Sequence, residues 1–576
     1  MAKQTETRLD AMRHSTTHLM AAAVQSLWPD TKFGIGPAIE DGFYYDFDLE
    51  HHLKPEDLEK VEKKMRELQK LDSPYEYSEK SIAEARQFFQ DRNQPYKVEL
   101  IDDLAKAGEK KVSFYQTGDF VDLCEGPHIQ KTSDIGAFKL MSFSTAYWKG
   151  DQANKQLQRI YGTAWETKQR LDDYLQRLEE AKRRDHRELG VELDLFHFEE
   201  YSPGMPYWHP KGMVIYRELD KFARELQGPG YLELKTPELV SGELYKKSGH
   251  YDHFRDDMFR VQDGDKEYFL KPMNCPEALL VFKSRRRSYR ELPMRLANFD
   301  VLHRTEATKV FHGLTRVREL CMDDAHILCT HEQTANEYKI LLEKTKQVHG
   351  TFGLKSKFFL STMPESHMGS RGDWEVAETA LKNALEAAKV GYEINEGDGA
   401  FYGPKIDIRV EDAIGREWQL TTLQYDMQQP AGLGAKYVDA DGSEKTPIMI
   451  HHALLGSFER FIGIILEHYN GALPTWLSPV QAVVLPITDA QNSYAESVLA
   501  QLKEAGIRAE INLTSEKIGA KIRDAQLARI PYMLIIGPKE VEESTVSVRL
   551  RSGTDLHSMP IPDIISRIQK EIQDRA

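Results

Sequence analysis

The chain runs to 576 residues with a net charge of −15, too long for a single core and too acidic to coat nucleic acid through a broad basic surface. It opens without the basic-then-apolar layout of a secretory signal. Nor does any run of about eighteen uncharged apolar residues occur, which argues against a membrane helix and for the cytoplasm. The four cysteines then read as reduced thiols serving as ligands, reactive groups or core fillers.

Residues 1–150 combine a helix over 10–28 with strand-like pieces and Gly/Pro turns such as "FGIGPAIEDGFYYDFDL", which predicts an α+β domain. From Lys155 to Leu189 apolar residues recur at helical spacing between charges, so a long amphipathic helix is expected and 151–192 reads as a helical linker. A helix follows over 213–226, then "YLELKTPEL", a strand broken by Pro237. Between 290 and 470 strand-like segments alternate with helices at 373–389 and 455–470. After Ser478 short apolar strands alternate with amphipathic helices, which predicts an α/β domain with a mostly parallel sheet. The basic runs "AKRRDHR", "KSRRRSYR" and "VRLRSG" are solvated helix faces or local phosphate contacts.

Two sets of residues carry metal-ligand chemistry. His14 and His18 lie one helical turn apart, and Cys124 and His128 have the same spacing. On spacing alone this is a zinc site or a packed helix with incidental histidines. In "ELCMDDAHILC", Cys321 and Cys329 are poor zinc candidates, since neither begins a CxxC pair. Cys275, His326 and His451, taken singly, read as core residues, and periodicity does not bring them together.

The stretches "NFDVLHRTE", "FHGLTRVR", "DDAHI", "GAFYGPKIDI" and "LLGSFERFIG", in this order, resemble the threonyl-tRNA synthetases, a class II aminoacyl-tRNA synthetase family. The resemblance covers nearly the whole chain and is to a bacterial type without the small N-terminal ubiquitin-like domain. It implies a multidomain α+β and α/β architecture. An α+β editing domain (1–150) and the linker precede an antiparallel-sheet catalytic core (193–477) and an α/β anticodon-binding domain (478–576). The implied activity is ATP-dependent formation of threonyl-adenylate and transfer of threonine to its tRNA, by a homodimer with Pro237 near the subunit interface.

By the same resemblance, Cys275, His326 and His451 hold one zinc ion per chain. Three protein ligands leave the metal positions for the amine and hydroxyl of threonine, with Asp324 accepting from that hydroxyl. Tyr402, Gln419 and Gln424 complete the amino-acid pocket. ATP, with Mg2+ on its phosphates, meets Arg304 at the α-phosphate, Glu306 at the adenine amine, Arg316 at the γ-phosphate and Arg460 against the bent triphosphate. Valine, lacking the hydroxyl, is rejected by about 10^4 or more, whereas serine differs by one methyl, about 1–3 kcal/mol. A second site is therefore implied, in which His14, His18, Cys124, His128, Lys97 and Asp122 hydrolyse seryl-tRNA with no obligatory metal. Glu540 and Arg549 match base-contacting positions of the anticodon domain, with Ser515 where asparagine is more usual.

The chain departs from the family pattern at Leu320 (usually an aromatic that stacks on adenine), Met322 (usually glutamine), "QLTT" at 419–422 (usually "QCGT") and His452 (usually arginine). These changes give some footing to a different reading, a catalytically weakened paralogue that binds RNA as a regulator. Retention of Arg304, Glu306, Arg316 and Arg460 together argues against it.

Overall fold

Two units divide the chain, Met1–Glu179 and Glu180–Ala576, and the computed structural model describes residues 8–151, 153–306 and 311–576. In the first unit the helix Arg8–Leu27 buries Met12, Leu19, Met20 and Val24 in a core shared with Phe43, Tyr45 and Phe47 of the strand Gly42–Asp48. That strand pairs antiparallel with Gln156–Trp165, which pairs in turn with Ala137–Tyr147. A second antiparallel sheet joins Glu76–Ser81, Lys111–Thr117 and Phe120–Leu123.

The helix expected from Lys155 onward is therefore corrected. Its first third is the strand Gln156–Trp165, and helices form only over Lys168–Arg183 and His186–Glu192. Leu157 and Ile160, three apart, fit helical spacing, but in the strand they face opposite sides of the sheet and enter different clusters. Gly162 packs beneath Phe43, where a Cβ would come within 2.4 Å of the ring. The linker of 151–192 thus gives its first part to the sheet of the first unit.

The second unit is built on an eight-stranded sheet ordered Tyr231–Leu234, Met294–Asn298, Asp324–Cys329, Ile448–Ala453, Glu417–Asp426, Lys405–Glu411, Lys355–Ser361 and Tyr392–Asn395. Pairing is antiparallel throughout except at the two outermost strands. Behind it lies the helix Phe458–His468, whose Phe461, Ile462, Ile464, Ile465 and Leu466 are all fully buried. These side chains form the broad apolar face of the helix, and burying each contributes about 1.5–3 kcal/mol. Cys321 and Cys329 join this core, as expected of them.

At the end of the chain a five-stranded sheet runs Ala509–Ile511, Ala482–Pro486, Tyr532–Ile536, Thr545–Leu550, Asp555–Pro560. Only its first two pairings are parallel, which corrects the mostly parallel sheet. "RLRSGTDL" is a hairpin turning at Gly553 (φ +90°), far shorter than the dozen or so residues a parallel crossover needs. Among the described residues no helix is long and apolar enough to cross a membrane.

Candidate functional site

Strand register explains how residues far apart in sequence meet. His326 pairs directly with His451, His451 with Gln424 and Gln424 with Lys405. Cross-strand partners point to the same face, so these four side chains form one row across the sheet, with Asp324 and Thr422 on that face two residues along their strands. Gln419 lies an odd number of residues from Thr422 and in a regular strand would face away. A bulge at Leu420 breaks the alternation, and Gln419 donates to Asp407 Oδ1 at 2.7 Å beside Thr422.

Cys275, first residue of the helix Cys275–Phe282, approaches this row from above. A ligand atom from each of Cys275, His326 and His451 lies within 4.8 Å of the others, and all three residues are buried. His326 Nδ1 is buried with no hydrogen-bond partner among the described residues. His451 Nε2 is held 2.9 Å from Asp426 Oδ2, and its ring stacks on Tyr402 at 4.8 Å. The Tyr402 hydroxyl donates to Gln424. Burial, with the Asp324 carboxylate nearby, pushes the Cys275 thiol well above its ordinary value, and burial lowers His326 to about 4. Asp324 accepts from Asn274 Nδ2 at 3.0 Å.

The same cavity, about 440 Å³, continues to Arg304, Glu306, Arg316 and Arg460. Arg304 is fixed by a bond from Nε to the Pro272 carbonyl, 3.2 Å, and Arg460 by bonds to the carbonyls of Thr315, 2.9 Å, and Gln419, 3.3 Å. Burial, reinforced by Arg316 and Arg304, lowers Arg460 from its ordinary value. Three guanidinium groups gathered in one cleft make a receptor for a polyanion. Leu320 packs with Leu302 and Val317, with Met322 against them, so this wall is aliphatic where the resemblance implies an aromatic ring. Thr421 of "QLTT" is fully buried and satisfied, donating to the Leu454 carbonyl at 2.5 Å and bonding His349 Nε2 at 3.1 Å.

Several participants escaped sequence reading. Asp323 is the clearest: Oδ2 accepts from the backbone N–H groups of Leu454 (2.9 Å) and Leu455 (3.0 Å), and Oδ1 from Gly456 (3.1 Å). Burial pushes its carboxyl up to about 7 against the pull of these amides. It ties the strand carrying Asp324 and His326 to the loop that leads into Arg460. The signal was the doublet itself, because neighbours in a strand face opposite ways and one of two adjacent aspartates must serve the other face. His250, with Nε2 3.6 Å from Cys275 Sγ, had no such signal.

In the first unit His14 and His18 point from the helix Arg8–Leu27 into a cavity of about 340 Å³, with Lys97, Asp122 and Cys124 also in its wall. Cys124 Sγ lies 3.3 Å from both His14 Nε2 and His128 Nε2. His128 Nδ1 bonds Ser15 Oγ at 2.9 Å, and His18 faces Asp122 at 3.5 Å. Lys97 pairs with Asp122 at 2.5 Å, and the Tyr45 hydroxyl, missed from sequence, donates to the same carboxylate at 2.5 Å. Gly126 turns the loop at φ +77°, where a Cβ would meet the Tyr115 hydroxyl at 2.7 Å. Burial lowers His14, His18 and His128 alike, and lifts the Cys124 thiol to about 12.

In the last sheet Glu540 accepts from the Gly537 N–H and the Ser547 hydroxyl, both at 2.8 Å, so it caps its own helix beside the strand of Arg549. The basic runs are partly engaged internally: Arg287 donates to the carbonyls of Phe282 (2.7 Å) and Val281 (3.2 Å), and Arg551 to that of Leu473 (2.7 Å).

Comparison with known proteins agrees with this geometry. Residues 258–469 match the tRNA synthetase class II core domain (G, H, P, S and T), 481–571 the anticodon binding domain, and 112–161 the threonyl and alanyl tRNA synthetase second additional domain. The sheet, its arginines and these matches together define a class II aminoacyl-tRNA synthetase. Threonine–tRNA ligases of Acetivibrio thermocellus and Clostridium tetani are 50% and 49% identical to it, over 98% of this chain and 89% and 88% of theirs. A crystal structure of the RNA binding domain of threonyl-tRNA synthetase from Cryptosporidium parvum aligns with a TM-score of 0.65 at 41% identity, covering 67% of this chain and 98% of that one. The chain belongs to the threonine–tRNA ligase family.

Proposed function

We propose that the protein activates threonine with ATP, transfers it to the threonine tRNA and hydrolyses seryl-tRNA formed in error. The observation that carries the first part is the continuity of one cavity from the Cys275, His326 and His451 cluster to the three arginines. Threonine and ATP bound at its two ends would meet in the middle. Class II membership implies ATP with Mg2+ as the energy source.

The donor set of Cys275, His326 and His451 fits zinc: one thiol and two imidazoles, with a buried ring nitrogen of His326 lacking a partner among the described residues. A zinc ion bound there supplies an electrophilic anchor for the amine and hydroxyl of the amino acid. The chain's own groups do the rest. Asp324 accepts from the substrate hydroxyl, and Gln419, Gln424 and Tyr402 border the amino-acid end. Arg304 holds the carboxylate in line with the α-phosphate, while Arg316 and Arg460 take the charge of the leaving pyrophosphate. A carboxylate oxygen bonds to the α-phosphorus as the bond to the β-phosphate oxygen breaks. A tRNA hydroxyl then attacks the mixed anhydride and AMP leaves.

For the first unit, the clustered imidazoles of His14, His18 and His128 support a hydrolytic site in which a neutral histidine, or a water it holds, is the base. Lys97 and Asp122 would fix its polar wall. We retain 1–150, extended through the strand Gln156–Trp165, as the editing domain, 193–477 as the catalytic domain and 478–576 as the anticodon-binding domain, where Arg549 and Glu540 would meet the tRNA. Exposed Leu232 and Leu239 on either side of Pro237 support a homodimer, which we infer to be cytoplasmic.

ATP–pyrophosphate exchange with threonine, valine and serine tests the proposal. Exchange with threonine, some with serine and little with valine is expected. No exchange with any amino acid would favour the regulatory paralogue.

A further inference from the structure

One cluster of titratable groups has no part in the chemistry above: His186 and Glu467, both buried, with the half-buried Asp185 beside them. His186 opens the short helix His186–Glu192, within the stretch read from sequence as a linker, and is fully buried. Its Nε2 accepts the backbone N–H of Leu314 at 2.9 Å. That nitrogen therefore carries the lone pair, and Nδ1 the proton, which it donates to Glu467 Oε1 at 2.6 Å. The same oxygen accepts the His186 backbone N–H at 3.2 Å, and the other takes the Arg416 guanidinium. With both ring nitrogens engaged and a guanidinium on the carboxylate, the cluster is a hydrogen-bonded relay with no place for a cation.

The relay ends two residues before Arg316. Between them, the carbonyl of Thr315 accepts from Arg460 Nε at 2.9 Å, so this backbone is gripped from two sides, by His186 at an amide and by Arg460 at a carbonyl. Arg460 and Glu467 ride on one helix, Phe458–His468, about two turns apart, and a single rigid element anchors both grips. Gly313 (φ +51°) shows how closely the imidazole is seated, for a Cβ there would come within 2.2 Å of His186 Nε2.

We infer that His186 is a positioning residue for ATP: the relay Glu467–His186–Leu314 sets the backbone from which Arg316 reaches the triphosphate. The inference rests on the proposed ATP site. Because the relay reaches the cavity only through the backbone that carries Thr315 and Arg316, its loss falls on ATP and spares threonine.

The test is ATP–pyrophosphate exchange by the full chain, with KM measured separately for ATP and threonine. His186→Leu is expected to raise the ATP KM about tenfold and to leave the threonine KM within about twofold. His186→Gln should recover most of the loss, since its amide can accept from Leu314 and donate to Glu467. Gly313→Ala, which displaces the imidazole from the other side, should reproduce His186→Leu and carries the test if that variant does not fold. An unchanged ATP KM in His186→Leu and Gly313→Ala overturns the inference, as does an equal rise in both KM values. A wild-type chain that exchanges with no amino acid overturns the proposed function and this inference with it, whereas an active wild type with insensitive variants overturns this one alone.

Discussion

Cysteine meets histidine in two places in this chain. At Cys275, His326 and His451 every residue is buried, carboxylates of Asp324 and Asp426 stand close by, and a ring nitrogen of His326 lacks a partner among the described residues. At His14, His18, Cys124 and His128 a ring nitrogen of His18 also lacks a partner among the described residues, but the other donors are bonded among themselves and to Ser15, and the Asp122 carboxylate beside them already has the Lys97 ammonium. Among the described residues, the first arrangement sets two carboxylates free of lysine and arginine beside its donors, whereas the second already holds an ammonium against Asp122. Ligand spacing in the sequence favours the second as the metal site, and the electrostatics of the two pockets favour the first.

The largest effect should come from Cys275→Ala. It is expected to lower threonine-dependent exchange by about 10^3 or more and to remove the one zinc ion proposed per chain, since losing a ligand disables both binding and polarisation. Metal analysis of Cys124→Ala sharpens the contrast: one zinc per chain should remain, and loss of metal there would reverse the assignment. His14→Ala is expected to slow seryl-tRNA hydrolysis by about 10^2 while threonylation continues, the usual scale for removing an acid–base group. Unchanged deacylation would move the hydrolytic site elsewhere.

Smaller effects separate the pockets by pH and by packing. Burial holds His14, His18 and His128 below their ordinary values, so the neutral, proton-accepting form persists as pH falls through about 6.5. Deacylation rates measured from about pH 8 down to about pH 6 should therefore stay flat, and half-loss near 6.5 would mean an imidazole free in water. Leu320→Phe should lower the ATP KM by up to about fivefold, roughly 1 kcal/mol of ring stacking regained, as read by exchange kinetics.

What the sequence made legible follows from where chemistry lies close along the chain. Arg304 with Glu306, Asp324 with His326, and the run through Arg460 each lie within a few consecutive residues, so short motifs disclose them. Asp323, Tyr45 and His186 act through backbone amides or a partner's carboxylate, which no local pattern encodes. Strand Gln156–Trp165 was hidden for a different reason: both of its faces are covered, so Leu157 and Ile160 fall at helical spacing, and the pairing with Phe43, over a hundred positions away, selects the strand. The "QLTT" and Leu320 substitutions look damaging in isolation, yet Thr421 is fully bonded and Leu320 closes an aliphatic wall. They change the lining of the nucleotide end and leave its guanidinium groups in place, which removes the main ground for a silent paralogue.

The direct pairing of His326 with His451 has a consequence for biogenesis. A slip of a single residue between those strands would turn the two imidazoles to opposite faces, and a misthreaded chain could no longer collect a divalent ion. Were zinc bound at the proposed site, its uptake by a freshly made polypeptide would double as a quality check on assembly of the central sheet.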